Sequence, residues 1–176
     1  MSLTYTSLPA AEKAAQGLNT LRVLSTETHV KKEEAPPPYT TLTLLYDTAE
    51  KLAWSGERSI AAAQSLFEQG LITYPRSDSI HISPEAIELA RQIVRERYGF
   101  TALKGFSLGA SLLRAPVPPT GAHEAIRPAN PTQLPEHQAG LLPDQAALYK
   151  LIWERFIASQ MQAARYQVIE VELESA

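Results

Sequence analysis

The sequence predicts a mainly α-helical domain with a helix-turn-helix or winged-helix-like part, plus a small antiparallel β element formed by strands near the two chain ends. Three observations carry this expectation. Four segments repeat apolar residues at spacings of three and four, which gives helices with one buried side. Two segments, one toward each end, alternate at period 2 as half-buried strands do. Proline and glycine punctuate the intervals between them.

The first helix is predicted from about Thr41 to Trp54, with Leu42, Leu45, Ala49, Leu52 and Ala53 on its apolar stripe. Pro36-Pro37-Pro38 blocks helix before it, and Ser55-Gly56 is expected to close it, glycine taking the left-handed cap. The second helix is expected to start with Ser59 as N-cap and to end at Gly70, burying Ile60, Ala63 and Phe67. Leu71-Ile72-Thr73-Tyr74-Pro75 then reads as a short strand stopped by proline. Helix, tight turn, helix, glycine, strand is the order of helix-turn-helix and winged-helix modules, although many helical domains contain such a pair.

Ser83-Pro84-Glu85 is a strong helix start, with serine at N-cap, proline at N1 and an acid in the first turn. The third helix runs from there to Tyr98 and closes at Gly99. The fourth follows Pro143-Asp144 and reaches about Met161, with Leu148, Leu151, Ile152 and Phe156 on one face. Between them, residues 100–142 are rich in proline and glycine and show no long periodic segment, so a long loop is expected there. Val168 to Glu174 alternates apolar and acidic residues, a strand with one buried face that needs a partner. Leu21 to Lys32 is that partner, with Leu24, Thr26, Thr28 and Val30 on one face.

The chain has 176 residues, 44% of them hydrophobic, which suits one domain or one domain with parts of a second. It has no cysteine, which excludes disulfides, thiolate zinc sites and thiol nucleophiles. No signal peptide and no apolar run long enough to span a bilayer is present, so a cytoplasmic protein without a membrane partner is expected. A net charge of −3 and a pI near 5.8 argue against a free-standing nucleic-acid binder, so such a role would be local or would use basic surface elsewhere. Met1-Ser2-Leu3 reads as an added leader.

Several chemistries lack their motif. There is no glycine-rich loop ending in Lys-Ser/Thr for ATP phosphates, and no Gly-x-Ser-x-Gly elbow. His123-Glu124 has no second histidine at the spacing a zinc helix needs. Attention therefore falls on Thr73-Tyr74-Pro75-Arg76-Ser77-Asp78-Ser79. A tyrosine hydroxyl, with a pKa of about 10, is a poor nucleophile at neutral pH unless its anion is stabilised. A nearby arginine lowers that pKa, and its planar fork can hold a phosphate oxygen pair. Residue types alone leave a second reading open: a structural tyrosine at a strand end with a surface arginine.

The exact strings narrow the choice. Leu71-Ile72-Thr73-Tyr74-Pro75-Arg76-Ser77-Asp78-Ser79 closely resembles the active-site segment of type IA DNA topoisomerases, the group of bacterial topoisomerases I and III and reverse gyrase. Pro38-Tyr39-Thr40-Thr41 is similar to the family segment that opens the preceding helix, and Ala63-Gln64-Ser65-Leu66-Phe67-Glu68-Gln69-Gly70 to the family helix end. Ala122-His123-Glu124-Ala125-Ile126-Arg127-Pro128 resembles the second signature, and Leu151 to Met161 the helix after it. The resemblance spans about residues 36–173, with its matches in the family's order.

The resemblance implies that Tyr74 is the nucleophile that joins a DNA 5′ phosphate, and that Arg76 positions that phosphate and stabilises its charge. His123 is implied beside the site, on DNA phosphate or orienting the catalytic groups. Asp78, Ser79 and Arg127 are implied as DNA-binding or supporting residues, structural support first, with an Asp78–Arg76 ion pair as one option. No metal ligand is expected in this chain. The family's Mg²⁺ is held by an acidic Toprim domain that nothing here matches, so the implied partners are single-stranded DNA and the Toprim and other domains of a longer parent. The chain alone is expected to be inactive. The implied layout gives residues 4–35 and 164–176 to strands of an arch and residues 36–163 to the movable tyrosine-bearing gate. A non-enzymatic winged-helix DNA-binding or interaction module is the alternative. A tyrosine recombinase is disfavoured because His123 follows Tyr74 instead of preceding it.

Overall fold

In the computed structural model, the structure describes Pro9, residues 21–105 and residues 123–175. Contacts divide the chain into two units, one being Glu34–Ala164 and the other containing β1 and nearly all of β2. In the latter, β1 (Leu21–Glu33) and β2 (Ala164–Ser175) form a two-stranded antiparallel sheet, as the alternation predicts. Ser25 Oγ donates to Glu172 Oε2 at 3.0 Å, and His29 Nε2 lies 3.9 Å from Glu170. The expected buried face is not formed. Val23, Leu24, Val30, Ile169, Val171 and Leu173 are all exposed, on both sides of the ribbon. Two strands have no second layer of their own to cover a face.

The other unit is built on α1 (Thr41–Leu52), α2 (Gly56–Glu68), α3 (Pro84–Tyr98) and α4 (Pro143–Ala158). Helix α2 packs against α1 and α4, and α4 also packs against α3. The core comprises Tyr39, Leu44, Leu66, Val94, Ile126, Leu148, Tyr149, Ile152, Phe156 and their buried neighbours.

The sequence misplaces the α1–α2 corner, and the reason is polar. Thr40 caps α1 through a reciprocal pair with Thr43, and the left-handed cap at its other end is Ala53 (φ 54°), not Gly56. Gly56 instead opens α2, whose N-cap is Ser55, not Ser59. Ser59 lies inside α2, fully buried, and donates to Thr48 Oγ1 at 2.8 Å. That hydroxyl pair and Asp47 hold the inward side of α1, so its buried residues are Leu44, Asp47 and Thr48. The predicted stripe is therefore displaced, and Leu42 is 77% exposed. Phe67, expected inside, is 37% exposed.

Helix α3 starts and ends where its sequence signals stand, with Ser83 as N-cap and Gly99 (φ 85°) closing it. Helix α4 stops at Ala158, short of Met161, because Met161 pairs with Leu103 in an isolated bridge. Its aromatic residues fasten the segment before it. Tyr149 Oη donates to Gln133 O at 2.6 Å, and Trp153 Nε1 to Pro131 O at 2.8 Å. Burial pushes the Tyr149 hydroxyl up to about 12. Of the expected loop 100–142, residues 106–122 lie outside the described residues. Residues 100–102 and 135–137 form short 3₁₀ turns.

Candidate active site

Three segments far apart in sequence are laced together around Tyr74. Tyr39 pairs with Ile126, and Ile72 with Pro128, in isolated antiparallel bridges instead of the continuous strand expected at 71–75. Thr73 N donates to Arg127 O at 2.9 Å, and Thr73 Oγ1 donates to Ala125 O at 2.7 Å. Thr41 holds the other side of the tyrosine. Its Oγ1 donates to Pro75 O at 2.9 Å and accepts from Ser77 N at 2.9 Å, and its own N–H donates to Ser77 O at 2.8 Å. Ser77 Oγ in turn donates to Glu124 O at 2.7 Å.

This lacing alternates along the loop. Pro75 and Ser77 face inward, while Tyr74, Arg76 and Asp78 face outward. A proline suits an inward position here because it has no N–H to satisfy. Tyr74 is 38% exposed and sits between two rings, Phe67 edge-on at 5.4 Å and His123 tilted at 5.6 Å between centroids. The structure thus brings together Tyr74 and His123, 49 positions apart in sequence. Ala122, which begins the second signature string, lies outside the described residues.

Arg76 borders an open groove of about 540 Å³ with Leu45, Gly56, Glu57, Ile60, Ala61 and Gln64. The Asp78–Arg76 ion pair, one of the two options for Asp78, does not form: among the described residues neither side chain enters one. Arg76 is a solvated cation beside a half-exposed tyrosine, which suits a phosphate oxygen. Ser79 shapes the turn that follows, its N–H donating to Ser77 Oγ and its Oγ accepting from His81 N.

Arg127 is buried and does not face the outward side chains. Its Nη2 lies 2.5 Å from Glu124 Oε2, and Nη1 donates to Pro128 O at 2.9 Å. Glu124 Oε1 accepts from Ser83 N at 2.7 Å, at the start of α3. A second buried polar group supports the base of the site. Tyr39 Oη donates to Asp47 Oδ2 at 2.5 Å, Lys51 Nζ approaches the same oxygen at 2.7 Å and Arg155 Nη1 at 3.4 Å. Arg155 also lies over the Tyr39 ring, 4.7 Å from its centroid. Burial alone would raise the Asp47 carboxyl, but hydrogen bonds from Lys51 and Tyr39 and the charges of Lys51 and Arg155 hold it below the usual carboxylate range. Burial and the bond to Asp47 push the Tyr39 hydroxyl up.

Comparison with known proteins decides the family. The family model for DNA topoisomerase matches residues 2–176. The chain belongs to the DNA topoisomerase family. DNA topoisomerase 1 of Synechococcus elongatus is 41% identical over 157 residues, covering 87% of this chain and 17% of that protein. Reverse gyrase 2 of Aeropyrum pernix is 34% identical over 168 residues, covering 88% of this chain and 13% of that protein. Full-length topoisomerase I from Thermotoga maritima superposes with a TM-score of 0.71 at 33% identity, covering 99% of this chain and 28% of that one. The chain therefore spans about a sixth of the length of the first of these relatives.

Among the described residues the acids do not fit a Mg²⁺ site. Glu124 and Asp47 are taken by cations. Among the described residues no group of three or more His, Asp or Glu side chains is placed to hold a metal. No described helix is long and apolar enough to cross a membrane. Sequence reasoning did not assign roles to Thr41, Thr73, Ser77 and Glu124, which build the site. All four stand inside the motif strings, and a hydroxyl or carboxylate flanking an outward-facing residue is the signal that could have found them.

Proposed function

We propose that this chain is the tyrosine-bearing part of a type IA enzyme that breaks and rejoins one DNA strand through a 5′-phosphotyrosine intermediate. The observation that carries the reading is the half-exposed Tyr74 against His123, on a fastened loop that also presents Arg76, which enters no ion pair among the described residues. The Tyr74 hydroxyl releases its proton to water and its oxygen attacks phosphorus. The P–O3′ bond breaks, the 3′ oxygen leaves and takes up a proton, and the 5′ phosphate stays on Tyr74. Religation reverses these bond changes and needs no ATP, in keeping with the missing phosphate loop. Arg76 neutralises charge on the phosphate oxygens as it builds up, and His123 binds an adjacent phosphate or orients the tyrosine.

In the reading proposed, Mg²⁺ and the acid that protonates the 3′ oxygen belong to the Toprim domain of a longer parent. This chain alone is then inactive, acts on single-stranded DNA only with its partner domains, and works in the cytoplasm. Residues 36–163 are assigned to the movable gate, and residues 4–35 and 164–176 to the arch. Relaxation of negatively supercoiled plasmid tests the proposal. A parent chain carrying the Toprim acids relaxes it, this chain alone does not, and Tyr74→Phe in the parent abolishes relaxation. A parent with Tyr74→Phe that still relaxes plasmid sinks the reading.

A further inference from the structure

We propose that Glu124, through Arg127, is the positioning residue that sets His123 against Tyr74. His123 meets the Tyr74 ring and makes no hydrogen bond among the described residues, whereas the residue after it is fastened. Glu124 is held at three points. Its carbonyl accepts from Ser77 Oγ at 2.7 Å, three positions after Tyr74. Its Oε1 accepts from Ser83 N at 2.7 Å, at the N-cap of α3. Its Oε2 accepts from Arg127 Nη2 at 2.5 Å.

Arg127 completes the fastening from the other side. Its Nη1 donates to Pro128 O, so its guanidinium folds the 124–128 backbone around itself. Its backbone N–H donates to Thr73 Oγ1 at 3.0 Å, and its carbonyl accepts from Thr73 N at 2.9 Å. Thr73 directly precedes Tyr74, and Glu124 directly follows His123. Each of the two rings thus projects from a backbone position adjacent to an anchored residue, and the Glu124–Arg127 pair joins the two anchors. The Glu124 and Arg127 side chains are 28% and 10% exposed, so the pair is shielded enough for its geometry to persist. Neither side chain touches the tyrosine. Their role is therefore positional and not catalytic.

This proposal deepens the reading of Tyr74 as nucleophile, but its test uses no DNA, so the two can fail separately. The test is made on this whole chain by NMR, reading the cross-peaks between the Tyr74 and His123 rings, with thermal unfolding followed in parallel. The wild type shows the cross-peaks. Glu124→Ala loses them and melts at lower temperature, because a shielded guanidinium is left unpaired. The double variant Glu124→Ala, Arg127→Met removes that charge and recovers most of the melting temperature, yet the cross-peaks stay lost. A purely structural pair would restore both together. Retention of the ring contact in either variant, or its absence in the wild type, overturns the proposal. Loss of the contact in a well-folded double variant supports it.

Discussion

Replacing Thr41 with valine exchanges a hydroxyl for a methyl of nearly the same shape where the tyrosine loop is fastened to α1. The hydroxyl donates to Pro75 O at 2.9 Å, has Ser77 O as a second acceptor at 3.2 Å and accepts from Ser77 N at 2.9 Å. The bond from Thr41 N to Ser77 O survives the change. Ser77 is only 3% exposed, so its freed N–H cannot turn to water. A buried donor left without an acceptor costs about 1–3 kcal/mol, and the lost bond to Pro75 adds about 0.5–1.5 kcal/mol. The added methyl returns part of this, so a net destabilisation of about 2–3 kcal/mol is expected. In urea the midpoint should fall with the slope unchanged, and the melting temperature should drop by about 5–10 °C. A change below about 0.5 kcal/mol, the size of an ordinary surface substitution, would refute the claim that Thr41 fastens the loop.

Further outcomes follow from the same geometry. The folded Asp47 carboxyl is held below its ordinary value, so its contribution is present above the unfolded carboxyl's pKa, about 3.9, and is lost as pH falls toward the lower folded value. Urea midpoints of wild type and Asp47→Asn should therefore be well separated at neutral pH and converge in acid. A constant gap contradicts this. Binding of a single-stranded oligonucleotide to this acidic chain should be weak and fall steeply with salt, and Arg76→Ala should reduce the salt slope by roughly 0.7, one phosphate contact. Tight, sequence-selective duplex binding would favour the winged-helix module instead.

What the sequence made legible was whatever local chemistry decides. Ser83-Pro84 and Gly99 bound α3 because capping and left-handed backbone are local requirements. The terminal alternation found both strands and their pairing. The α1–α2 corner was misread because Asp47, Thr48 and Ser59 are polar and yet buried, satisfied by partners up to 108 positions away. A hydrophobicity pattern sends such residues to the surface. Ala53, not glycine, takes the left-handed cap, so the glycine rule pointed three residues too far. In the site, the motif strings marked Tyr74, Arg76 and His123, and the ring contact joins the first and last. They could not show that Arg127 turns inward, that Asp78 and Arg76 form no ion pair with each other, or that Glu124 links two loops and a helix, since each depends on tertiary placement.

The atom at issue is the phenolic oxygen of Tyr74, and mapping the covalent adduct identifies it. A parent chain with its Toprim acids is incubated with a 5′-labelled and internally labelled single strand, denatured during cleavage, digested and mapped by mass spectrometry. A nucleotide 5′ phosphate is expected on the peptide that contains Tyr74, with no adduct when Tyr74→Phe is introduced. An adduct on any other residue, or an undiminished adduct in the Tyr74→Phe protein, would contradict it.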